Sequence, residues 1–172
     1  MRKYLPFVLI ALFPYLIIFS LICIFKGYFM DTVFHNNGYS LLLVLLILYF
    51  VALVCAVAVF IKGVTKKKKS LEILRFNMII KLIHIPAYLL IFVVGLICSL
   101  GILTIGITIV LMILDGMTII LSGLIGLGGV ISSLREDKLS IKKAVMHGIL
   151  QFVYCADIIS SIVIYRTVKA IE

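Results

Sequence analysis

From Tyr4 to Phe25 the chain runs without one charged side chain, and it does so again from Ser40 to Ile61. Both runs are apolar throughout, and each reaches the roughly 20 residues that a helix needs to cross about 30 Å of hydrocarbon. In lipid only helices and closed barrels satisfy their backbone groups, and a run that does not alternate is a helix. Between Asn77 and Leu134 only Lys81 and Asp115 are charged. That stretch is about twice one crossing, so it must fold back. The reversal is expected around Ser99 to Gly106, where Gly101 and Gly106 loosen the helix, or else at Asp115-Gly116.

A last apolar run, from about Ala144 to Tyr165, brings the count to five. The expected fold is an all-α integral membrane protein, a single transmembrane domain over 1–172, with helices near 4–25, 40–61, 77–100, 103–134 and 144–165 and a basic loop at 62–76. Four helices plus a re-entrant or interfacial helix is the alternative. Composition agrees: 65% of residues are hydrophobic and 13% charged, against roughly 45–50% and 25% in a soluble domain. Met1-Arg2-Lys3 before an apolar stretch resembles a signal peptide, but the run continues to Phe25 with no small-residue cleavage site after it. It reads as a retained first helix. Pro14 removes a backbone donor from that helix and is expected to kink it.

The net charge of +9 does not point to nucleic acid, because the basic residues stand at the ends of apolar runs, where Lys and Arg mark cytoplasmic loops. With the N-terminus in the cytoplasm of a multi-pass cell-membrane protein, thirteen of the sixteen Lys and Arg lie inside, and Lys26, Arg166 and Lys169 lie outside. The basic tail is discordant with a C-terminus outside, and a four-helix or re-entrant arrangement would return it to the cytoplasm. Lys66, Lys67, Lys68 and Lys69 are expected to meet anionic lipid headgroups, at about 1 kcal/mol each. The four cysteines, Cys23, Cys55, Cys98 and Cys155, fall in apolar segments without zinc spacing and read as buried thiols.

The informative residues are the polar ones inside these runs. An Asp at the centre of a membrane helix costs about 2.5–3.5 kcal/mol, so Asp115 and Asp157 should face the bundle. His147, Gln151, Tyr154, Asp157 and Ser161 recur at intervals of 4, 3, 3 and 4, which places them on one face of helix 5. Lys81, His84 and Tyr88 form a shorter face on helix 3, with Lys81 able to snorkel to the cytoplasmic surface as an anchor. Each stripe can line a pocket or proton path, or simply hydrogen-bond helices together. Ser122, Gly126, Gly129 and Ser133 form a small-residue seam on helix 4 that lets backbones approach closely.

No nucleophile, metal or phosphate-loop motif is present, and no cofactor is expected. The leading expectation is a transport-related membrane protein or substrate-binding subunit. Its intramembrane pocket would draw on His84, Tyr88, Asp115, Gln151, Tyr154 and Asp157, with His147 towards the cytoplasm. Size, charge and architecture are similar in general terms to small membrane substrate-binding subunits of multicomponent transporters, a similarity that covers no motif. So short a chain, without an internal repeat, implies a homo-oligomer or another membrane subunit. A non-enzymatic interaction, immunity or regulatory protein is the alternative, and a lipid-modifying enzyme using His84 or His147 with a carboxylate is the third reading.

Overall fold

A computed structural model describes residues 5–65, 69–102 and 104–171. The described chain forms seven helices: α1 Leu5–Lys26, α2 Tyr28–Thr32, α3 Gly38–Val64, α4 Ser70–Ser99, α5 Ile105–Arg135, α6 Ile141–Leu150 and α7 Ala156–Lys169. Four of them, α1, α3, α4 and α5, are long and apolar enough to cross a membrane. Their inward faces meet in one core that includes Phe7, Phe13, Ile17, Ala56, Ile80, Leu121 and Ile125. Their outward faces remain apolar, with Leu43, Phe50, Ile97 and Met112 all exposed. Helix α4 ends at Ser99 and α5 begins at Ile105, so the reversal falls in the stretch expected, Ser99 to Gly106.

Helix α4 starts at Ser70, inside the stretch read from sequence as loop. The reason lies across the bundle at the end of α5. Glu136 accepts hydrogen bonds from the Ser70 amide at 2.9 Å and the Ser70 hydroxyl at 2.5 Å, a carboxylate placed where the positive end of a helix favours it. Lys138 pairs with the same carboxylate at 2.9 Å. Burial pushes the Glu136 carboxyl up, but the Ser70 bonds and Lys138 outweigh it and hold the pKa down to about 2.

Two prolines shape the contact between α1 and α4. Pro14 has no N–H to offer the Ile10 carbonyl four residues before it, and His84 Nε2 fills that vacancy at 3.2 Å. Pro86 loosens α4 in the same way, and in the turn before it the Ile83 carbonyl accepts from the Tyr15 hydroxyl at 2.6 Å. Farther along, α3 and α5 touch through glycines: a Cβ at Gly63 would stand 3.0 Å from the Gly128 carbonyl oxygen.

The expected fifth crossing does not form as one helix. The chain breaks at Gln151–Cys155, with Cys155 in the left-handed region at φ 62°. At 1.5 Å per residue α6 and α7 are about 15 and 21 Å long, each too short for a span. Asp157 lies beside Lys81, Ser161 beside Asn77, and Ile164 and Val168 share an apolar cluster with Leu74, Leu139 and Ala144. Helix α7 therefore runs back along α4, and α6 and α7 form a hairpin that enters and leaves at the same end of the bundle. Lys62, Lys69, Arg75, Arg135, Arg166 and Lys169 stand at that end, and Lys26 stands at the other. Lys66, Lys67 and Lys68 lie outside the described residues, while Lys69 is exposed. Of the cysteines, all free, Cys23 and Cys98 are buried, Cys55 is half-buried, and Cys155 is exposed rather than buried.

Candidate functional site

The tip of the hairpin delivers its polar groups to the middle of α4. Lys81 Nζ lies 2.8 Å from Asp157 Oδ2, with both side chains at 0% exposure. The same ammonium donates to the Gln151 carbonyl at 3.1 Å. Lys81 is thus no surface anchor: the carboxylate and the freed carbonyl at the break hold it inside. Asn77 Nδ2 donates to Gln151 Oε1 at 3.1 Å and to Ser161 Oγ at 3.0 Å, and Ser161 returns to Gln151 Oε1 at 3.1 Å. His147 Nδ1 meets Ser160 Oγ at 2.8 Å. This network has room because position 126 is glycine: a Cβ there would collide with the Gln151 side-chain amide. Gly129 makes similar room for Leu74. Ser122 and Ser133 are buried and bond to carbonyls of their own helix, as hydroxyls in apolar helices commonly do.

Beside the network, α4, α5 and the hairpin tip form a half-open cavity of about 480 Å³ on the outer face of the bundle. Its wall is apolar apart from Asp115, Ser99, Thr108 and the Tyr154 ring. Tyr154 stacks at a tilt on Tyr88, centroids 5.7 Å apart, so Tyr88 backs the cavity wall.

The sequence-derived candidates accordingly divide. Asp115 and Tyr154 reach the cavity; Tyr88 stands behind them; Gln151, Asp157 and His147 belong to the packed network. His84 is the one that leaves the site. It is buried, and its Nε2 must carry a proton because the Ile10 carbonyl can only accept; in the neutral ring Nδ1 then accepts from the Tyr88 hydroxyl at 3.3 Å. Both ring nitrogens are used, so His84 ties α4 to α1. Sequence reasoning missed Lys81 as a site residue, and Asn77 and Ser160 altogether. Asn77 stands four residues before Lys81, and carrying the Lys81–His84–Tyr88 stripe back one turn would have found it.

Among the described residues, three buried side-chain oxygens have no hydrogen-bond partner: Asn77 Oδ1, Asp157 Oδ1 and Asp115 Oδ1. All three lie in the network or the cavity wall. Such atoms are rare in a folded interior and call for an explanation.

Four long apolar helices, with a hairpin pinned against two of them by a buried ion pair, define an all-helical bundle of membrane-protein character. The chain belongs to a family of unknown function, DUF6652, whose model matches residues 3–170. No curated protein and no solved structure matches it.

Proposed function

We propose that the chain is a transport-related membrane protein, a substrate-binding subunit of a cell membrane that holds a small molecule in the cavity between α4 and α5. The observation that carries this reading is a second carboxylate, Asp115, in the wall of a cavity that adjoins the buried Lys81–Asp157 pair. Charged groups at membrane depth are costly and characteristically mark substrate or ion pathways. The broken hairpin supports the same reading. The C-terminal carbonyl of α6 faces a cation, and Asp157 occupies the first turn of α7, where the helix dipole favours an anion. Discontinuous helices meeting at mid-depth are a recurrent way to build a transporter's site.

In this proposal both termini are cytoplasmic. Arg166 and Lys169 then join the basic side and leave Lys26 as the outside exception, the asymmetry expected of cytoplasmic loops. The hairpin is re-entrant, and Lys66 to Lys69 contact anionic headgroups. A second copy or another membrane subunit completes the carrier, since one copy supplies few spans.

Native mass spectrometry of the gently solubilised protein tests the reading. Position 95 is open space in the cavity wall, so Gly95→Leu fills the cavity while favouring helix. A small molecule retained by the wild type and lost from Gly95→Leu is the expected result. A ligand-free protein that co-purifies with a protein partner would contradict it and favour a non-enzymatic interaction role.

A further inference from the structure

We infer that the cavity beside Asp115 takes a lipophilic cation, a molecule with an apolar body and a single ammonium head. The inference rests on the reading of this cavity as a binding site and adds the chemistry of its occupant.

The charge balance comes first. Lys81 spends its ammonium on Asp157 Oδ2 and the Gln151 carbonyl. Asp115 gains nothing from it: its Oδ1 is buried without a partner, and among the described residues no cation pairs with it. The lysine is thus committed to one of two carboxylates, and the other has no cation of its own. An anionic head would meet repulsion from both carboxylates, and a neutral alcohol would offer one hydrogen bond and no charge. A cation would supply both.

The remaining wall selects the rest of the molecule. Ser99 and Thr108 already donate to the Leu96 and Gly95 carbonyls, which leaves Asp115 as the polar anchor. The buried Ile91, Leu111 and Ile119 form its floor and the exposed Phe92, Leu96 and Met112 its open rim, an apolar surface suited to an alkyl or aromatic body. The Tyr154 ring stands in the same wall, and an aromatic face attracts an ammonium group. A volume of about 480 Å³ falls within the roughly 300–1,000 Å³ of small-molecule sites.

Equilibrium binding of radiolabelled octylamine, octanol and octanoate to the full chain in zwitterionic nanodiscs tests this. These probes share a tail and differ in the head. Octylamine is expected to bind about tenfold or more tighter than octanol, with octanoate weaker still. Asp115→Asn keeps the side chain's size and should erase that preference, whereas Gly95→Leu should remove all three probes. If octanol or octanoate binds as well as octylamine and Gly95→Leu still abolishes binding, the cation assignment is wrong and the cavity reading stands. If wild type and Gly95→Leu bind every probe alike, both fail.

Discussion

The contact between α1 and α4 and the contact between α4, α5 and the hairpin both bury polar groups among apolar side chains, but they treat them differently. Around Pro14 and Pro86 the polar groups come in matched sets. Each proline disturbs a turn, and His84 or Tyr15 supplies a hydrogen bond to a carbonyl there. Around Asp157 and Asp115 the supply is short: among the described residues, three buried side-chain oxygens there have no hydrogen-bond partner. A polar side chain inside an apolar helix is therefore not informative by itself. What separates packing from a binding site is whether its hydrogen-bonding capacity has been used.

The largest expected effect breaks the second region. Lys81→Met leaves Asp157 buried without its cation, which should destabilise the protein by about 3–5 kcal/mol. Changing both partners, Lys81→Met with Asp157→Leu, should recover most of that loss, since an apolar pair can replace a buried ion pair. Thermal unfolding in detergent checks this, and equal destabilisation by the single and double variants would count against the buried bridge.

A smaller effect sharpens the first region. His84→Leu leaves the Ile10 carbonyl without a donor, at a cost of about 1–3 kcal/mol. Pro14→Ala returns the missing N–H to α1, so the double variant should be more stable than His84→Leu alone. Additive losses would mean that His84 does not answer Pro14.

The smallest effect is a pH dependence at the basic end. The Glu136 carboxyl has a pKa of about 2 in the folded chain and about 4.5 as an ordinary carboxyl. Between those values the unfolded chain binds more protons, so stability rises with pH. The contribution of the Ser70–Glu136 contact is present in full above about 4.5 and is lost as the pH falls towards 2. Melting temperatures measured between pH 3 and 6 should fall towards the acid side in the wild type and fall less in Glu136→Gln.

The four long helices were legible because their signal is length without charge. The break in the last helix was not, for a physical reason. Residues 150–156, Leu-Gln-Phe-Val-Tyr-Cys-Ala, contain neither glycine nor proline, and an unpunctuated apolar run reads as a continuous helix. The reversal is held by tertiary contacts, chiefly Lys81 on the Gln151 carbonyl and Asn77 on its amide, which no local pattern reveals. One trace of it was visible: Arg166 and Lys169 made a basic tail on the wrong side of a five-span topology, and the hairpin removes that conflict. Asp115, Gln151, Tyr154 and Asp157 stood out in the sequence because each is polar in an apolar run. Lys81 was misread because a lysine near a helix end ordinarily reaches for the surface.

The measurement that tests the central claim most directly compares the two regions by one readout, retained ligand in native mass spectra. The His84→Leu, Pro14→Ala double variant alters matched groups and should keep the wild-type ligand. Asp115→Asn alters the unmatched carboxylate and should lose it. Loss from the double variant with retention by Asp115→Asn would contradict the account and move the site to the α1–α4 contact.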